Sequence, residues 1–148
     1  MAQVIADVTR VINAPVGQIW GIVTSFGAES LWFPGVVTSS LQGYGLGSVR
    51  TLHFENGPWG NNFHDEMVVC DPAKHLLRYR VFNDDFPDTG QVYPNIVLED
   101  IDGKSTKLRW FLEGEPMPDE VQRASLRKSV EAMYNRCADA IAEKLAPK

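Results

Sequence analysis

The sequence predicts an α+β domain in which a curved, seven-stranded antiparallel sheet wraps around one long C-terminal helix. Three observations predict it. Short runs of alternating apolar and polar residues follow one another from residue 36 to residue 113, with turn signals between them. The stretch 119–145 instead repeats apolar residues at three-to-four spacing, the period of a helix. An antiparallel meander with one apolar face needs a cover, and that helix is the only element able to provide it.

The elements follow in order. Residues 3–13 alternate as a strand. Asn13-Ala14-Pro15 then opens a short helix, with Asn13 as N-cap and Ile19, Trp20 and Val23 as its apolar side. A second short helix is expected at Ala28–Trp32, stopped by Pro34 and Gly35. Strands are expected at Val36–Leu41, Ser48–Glu55, Asn62–Cys70, Leu76–Phe82, Gln91–Ile101 and Lys104–Glu113. The last two flank Asp102-Gly103, a dipeptide suited to a two-residue type I′ hairpin turn. Pro116 and Pro118 precede the final helix, Asp119–Leu145. Its stripe is Val121, Ala124, Val130, Met133, Tyr134, Cys137, Ile141 and Leu145.

Composition narrows the function classes. The chain has 148 residues, a size that suits one domain spanning 1–148 and a core of its own. A net charge of −5 argues against a nucleic-acid partner and against docking on anionic lipid. No run approaches the ~20 apolar residues of a membrane span, and the N-terminus lacks the apolar block of a signal peptide. Cys70 and Cys137 lack metal-ligand spacing and read as buried thiols in a reducing compartment, which points to the cytoplasm. The oligomeric state is left open between monomer and homodimer.

Alternation along strands assigns the inner face. The Asp102-Gly103 turn sets Val97 opposite Leu108, Asn95 opposite Trp110 and Tyr93 opposite Leu112. A turn at Pro58-Trp59 sets Phe54 opposite Phe63, with Arg50 and Asp65 as diagonal neighbours. Leu77, Tyr79 and Val81 then face inward, while Arg78 and Arg80 face water. The result is a mostly apolar wall interrupted by Arg50, Asp65, Tyr79, Tyr93 and Asn95, which is the usual make-up of a small-molecule pocket. The alternative is a solid core whose polar groups satisfy one another. The ligand-facing set is Trp32, Leu52, Phe54, Phe63, Met67, Val81, Tyr93, Asn95, Leu108, Trp110, Val130 and Tyr134. Loops 57–60, 83–90 and 114–118 gather at one end and carry Trp59, Phe86 and Met117, which marks that end as the entrance.

Four segments carry a family resemblance: Ile12–Trp20 (INAPVGQIW), Trp32–Val36 (WFPGV), Gly45–Arg50 (GLGSVR) and Ser105–Trp110 (STKLRW). In order and over nearly the whole chain, they resemble the polyketide cyclase/dehydrase and lipid-transport family. That family belongs to the START-like superfamily, which has the helix-grip fold of birch-pollen-type allergens. The resemblance implies a hydrophobic cavity between sheet and helix. It implies no fixed catalytic triad, because members resemble carriers, receptors, aromatase/cyclases and lyases alike. Arg50 stands where the plant branch often has a cavity lysine. The lysine of the Pictet–Spengler members has no counterpart in this sequence, which speaks against an iminium mechanism.

The candidate chemistry is therefore acid/base. Arg50 would anchor a ligand carboxylate, phenolate or enolate while Asp65 accepts a proton, with Tyr79 as a donor to a developing oxyanion. The alternative for Arg50 and Asp65 is a structural ion pair. His53 and His64 fall on the outer face near Glu55 and Glu66 and read as a solvated polar ladder rather than a zinc site. No metal or cofactor is called for. The glycine run 43–47 leads into a strand and reads as a turn, not a phosphate loop. The expected function is binding of a small hydrophobic, aromatic or polyketide-like molecule, with cofactor-free cyclisation, dehydration or elimination as the catalytic reading. A non-catalytic carrier or sensor is the alternative. A client-binding module of the chaperone-activating kind is a third reading.

Overall fold

Alternating side chains set seven strands in the computed structural model, which describes residues 2–55, 62–83 and 91–147. They are β1 (Gln3–Ile12), β2 (Val36–Gln42), β3 (Val49–Phe54), β4 (Asn62–Asp71), β5 (Leu76–Asn83), β6 (Val92–Asp100) and β7 (Thr106–Gly114). Helix α1 (Val16–Val23) and a single 3-10 turn (Glu29–Leu31) lie between β1 and β2, and α2 (Glu120–Leu145) ends the chain. The strands form one antiparallel sheet in the order β1-β7-β6-β5-β4-β3-β2. Consecutive strands from β2 to β7 are neighbours, so the meander is continuous and β1 adds to its far side.

Helix α2 begins where Asp119 accepts hydrogen bonds from the backbone N–H groups of Val121 and Gln122, an N-cap that satisfies donors the helix cannot. Its two halves differ. Cys137, Ala138 and Ile141 in the second half are fully buried against the sheet, whereas Val121 in the first turn is 80% exposed. Helix α1 is entered through Pro15, whose side chain can accept no hydrogen bond. Asn13 therefore does not cap it, and the fixed φ of proline sets its start instead. Cys70 and Cys137 are both free thiols, the first half-buried and the second buried. Among the described residues no helix is long and apolar enough to cross a membrane.

Two registers depart from the expected ones. Across β6 and β7, Ile96 faces Trp110 and Leu98 faces Leu108, one residue away from the pairing that a two-residue turn would impose. The loop is longer. Ile101 donates its backbone N–H to Ser105, and Asp102 accepts from the backbone of Lys104 and Ser105 and from the Ser105 hydroxyl. Gly103 takes the left-handed backbone (φ 77°) that this loop requires. A one-residue slip moves every side chain of a strand to the other face. Val92, Pro94, Ile96 and Leu98 therefore point inward, and Tyr93, Asn95 and Val97 point outward. Across β3 and β4 the shift is two residues, which leaves faces unchanged. Arg50 lies directly opposite Asp65 and Leu52 opposite Phe63.

Candidate functional site

The less buried first half of α2 stands off the curved sheet and leaves a cavity of about 960 Å³, the size range of small-molecule sites. Leu52, Phe54, Phe63 and Val81 line it from the sheet, and Leu126, Val130, Met133 and Tyr134 from the helix. Phe54 and Phe63 meet edge to face at 5.7 Å. Phe33-Pro34-Gly35 closes one side. Gly35 adopts φ 84°, and the point where a Cβ would stand lies 3.4 Å from the Phe54 ring, so glycine lets that turn lie against the ring. Tyr134 faces the cavity, and behind it Trp110 stacks on its ring at 4.8 Å.

One stretch of this wall is charged. Arg50 donates from Nε to Asp65 Oδ2 at 2.7 Å and from Nη1 to Glu29 Oε2 at 2.9 Å. Glu29 is 0% exposed, and Arg50 and Asp65 are 3% exposed each. The other Glu29 oxygen accepts from the backbone N–H of Gly27. The Arg50 guanidinium also lies between two rings, 4.1 Å from the centre of Phe26 and 4.7 Å from that of Tyr79. Such stacking recovers part of the hydration a buried cation gives up. Arg50 and Asp65 border the cavity. The second oxygen of Asp65 accepts no hydrogen bond among the described residues.

Burial pushes the Asp65 carboxyl above the usual aspartate range, against the pull of Arg50 and with a further push from Glu29. Burial likewise raises the phenols of Tyr79 and Tyr134 above their ordinary value, so both stay protonated as potential donors. The wall thus holds a carboxyl group whose hold on a proton is strengthened by burial, and two phenols able to donate.

The expected residues divide into four groups. Arg50, Asp65, Tyr79, Leu52, Phe54, Phe63, Val81, Val130 and Tyr134 line the cavity. Met67, Leu108 and Trp110 point inward but are buried beneath the cavity wall, as core. Tyr93 and Asn95 are corrections: the β6 register places them on the outer face. Tyr93 lies under Arg78 there, and Asn95 bonds Arg78 and Glu113. Trp32 is another correction. At the end of the 3-10 turn its ring packs beside Phe33, and Phe33, not Trp32, reaches the cavity. Trp59 and Phe86 lie outside the described residues, so the entrance built on them is not described either. Met117, from the third loop of that end, lines the cavity. On the outer face His53 bonds Asn62 and His64 bonds Thr51, so the two histidines are not paired across the strands.

Glu29 is the residue that sequence reasoning missed. It sits in an apolar stretch with no periodicity, where a carboxylate reads as exposed. Two indirect signals existed. Arg50 has more donors than one aspartate can satisfy, and Gly27, at φ 97°, provides the turn that brings Glu29 back to the sheet.

The family model described as polyketide cyclase/dehydrase and lipid transport matches residues 3–146. No curated protein matches significantly. Truncated norcoclaurine synthase from Thalictrum flavum superposes with a TM-score of 0.78 at 18% identity, covering 100% of this chain and 96% of that one. An uncharacterized protein from Bacillus thuringiensis gives 0.74 at 19% identity, covering 97% and 98%. The Zhui aromatase/cyclase of a Streptomyces species gives 0.68 at 17% identity, covering 97% and 90%. At these identities the likeness is one of fold, and it extends over the whole sheet and helix.

Proposed function

This chain belongs to the polyketide cyclase/dehydrase and lipid-transport family, and on that premise we propose that it binds a small, mainly apolar molecule in the cavity between sheet and α2. The observation that carries the reading is the cavity itself. Side chains that would otherwise fill a core, Phe54, Phe63, Val130 and Met133, instead border about 960 Å³ of space. Native interiors are packed with few voids larger than a water molecule, so a space of this size calls for an occupant. The test is an environment-sensitive apolar dye. It should bind the native protein, and Val130→Trp, which grows a large ring from α2 into the space, should weaken that binding roughly tenfold or more at an unchanged denaturation midpoint. Dye uptake by Val130→Trp equal to that of the parent would remove the cavity as the binding site.

A second reading adds chemistry at the same place. Asp65 borders the cavity with one oxygen that accepts from none of the described residues, and burial and the Arg50 charge pull its protonation in opposite directions. This supports a cofactor-free proton transfer of the kind needed for cyclisation, dehydration or elimination. Asp65 would take the proton, and Tyr79 or Tyr134 would donate to the oxygen that gains charge. Asp65→Asn, compared at saturating ligand so that altered affinity does not enter, should then lose roughly 10²–10⁴ in turnover. Unchanged turnover would leave the carrier or sensor role.

A further inference from the structure

The charged wall has a sign, and the sign selects the ligand. A lone arginine on an apolar wall would attract an anionic head. Arg50 is not alone: its Nε is held by Asp65 at 2.7 Å and its Nη1 by Glu29 at 2.9 Å. Two carboxylates face one guanidinium, and all three groups are buried. With both carboxylates ionised the trio carries a net negative charge. With a proton on Asp65, Glu29 still matches Arg50, and the trio is neutral. In neither state does it offer positive charge to an incoming group.

The rest of the lining agrees. Arg136 is the one other cation on it among the described residues, against Glu55 and Glu115. A carboxylate entering this space would lose its hydration and meet like charge, the costly combination for a buried ion. The Asp65 oxygen that accepts from none of the described residues offers the opposite opportunity, because in either protonation state it can accept a hydrogen bond from a ligand.

Resting on the ligand-binding reading above, we infer that the cavity selects an apolar molecule whose polar head is an uncharged hydrogen-bond donor, a hydroxyl directed at Asp65, and that it rejects the corresponding carboxylate. Glu29 is the positioning residue for this selectivity. It contacts no ligand, but it uses up the Arg50 charge that would otherwise draw an anion.

The experiment is dye displacement near neutral pH with three compounds of one ring system: naphthylmethanol, its methyl ether and naphthoate. The alcohol should bind most tightly, the ether roughly threefold or more weakly, and naphthoate roughly tenfold or more weakly. Glu29→Gln removes the surplus negative charge and should narrow the gap between alcohol and naphthoate severalfold. Asp65→Asn makes the same charge change from the other side of Arg50 and serves if Glu29→Gln does not fold. Naphthoate binding as well as the alcohol overturns the inference and leaves the cavity reading intact. So does a gap unmoved in a folded variant, or displacement by none of the three while the dye still binds. Failure of the dye itself to bind the native protein overturns the cavity reading.

Discussion

Replacing Asp65 with asparagine tests how the buried charges are held. If Asp65 were the only partner of Arg50, the change would strand a buried guanidinium at a cost of about 3–5 kcal/mol. The structure argues for less, because Glu29 still holds Nη1 at 2.9 Å and the Phe26 and Tyr79 rings still flank the guanidinium. What is lost is a charge-assisted hydrogen bond, worth about 1.5–3 kcal/mol. Two gains offset part of it. The buried charge of Asp65 is gone, and so is its repulsion of Glu29, both of which already push the Asp65 carboxyl upward. The expected net loss is about 1–2 kcal/mol. With a urea dependence of about 2 kcal/mol/M, the midpoint should fall by about 0.5–1 M. Arg50→Met is the contrast: it leaves two carboxylates buried with no cation and should cost about 3–5 kcal/mol, or about 1.5–2.5 M. The assay is urea unfolding followed by tryptophan fluorescence. An Asp65→Asn midpoint as low as that of Arg50→Met would show that Glu29 does not support Arg50, and the trio would not exist as described.

Two further outcomes follow from the same region. The native Asp65 carboxyl lies above its ordinary value of 3.8, so between that value and its own the folded chain keeps a proton that the unfolded chain has released. This contribution to stability must therefore fall as pH rises through that window; the midpoint of the parent minus that of Asp65→Asn should decrease with pH, and an increase would mean that Arg50 outweighs burial. Gly27→Ala should cost about 2–4 kcal/mol in a denaturation series, because the residue sits at φ 97° and its Cβ would stand 2.9 Å from Leu41 Cβ; a neutral effect would show that the turn carrying Glu29 is free to relax.

How much of this was legible in the sequence depends on the distance over which each feature is decided. Strand positions and the long helix are local: alternation gave β3, β4 and β5 their faces, and the Asp119 cap lies at the residue where the helical period begins. Registers are decided by loops. Asp102-Gly103 has the composition of a tight turn, but Asp102 bonds forward to Ser105 and stretches it, and that single added residue turned Tyr93 and Asn95 outward. Across β3 and β4 the error was an even number of residues, so the inner face survived it and the Arg50–Asp65 pairing came out closer than expected. Glu29 was illegible for a different reason. Its partner is 21 residues away, and no periodicity marks a carboxylate that folds back under a sheet. Trp32 and Phe33 show the finest limit: their rings touch in one turn, yet only Phe33 borders the cavity, and composition cannot choose between them.

The same distance sets the last test. Glu29 reaches Arg50 from the segment between α1 and β2, and Asp65 reaches it from β4, so Arg50 joins two parts of the chain that no other buried ion pair among the described residues connects. Each carboxylate alone keeps the guanidinium paired, and each alone is relieved of the other's repulsion. Glu29→Gln and Asp65→Asn should therefore be mild singly, about 1–2 kcal/mol each. Together they leave Arg50 buried with amides only. The double variant should then cost more than the sum of the single losses by about 1–3 kcal/mol, the coupling expected of residues in one network. Denaturation midpoints of the four proteins close the cycle. Additivity to within about 0.5 kcal/mol, the behaviour of independent sites, would mean that the two carboxylates do not share Arg50. It would also remove the physical basis for a wall that turns anions away.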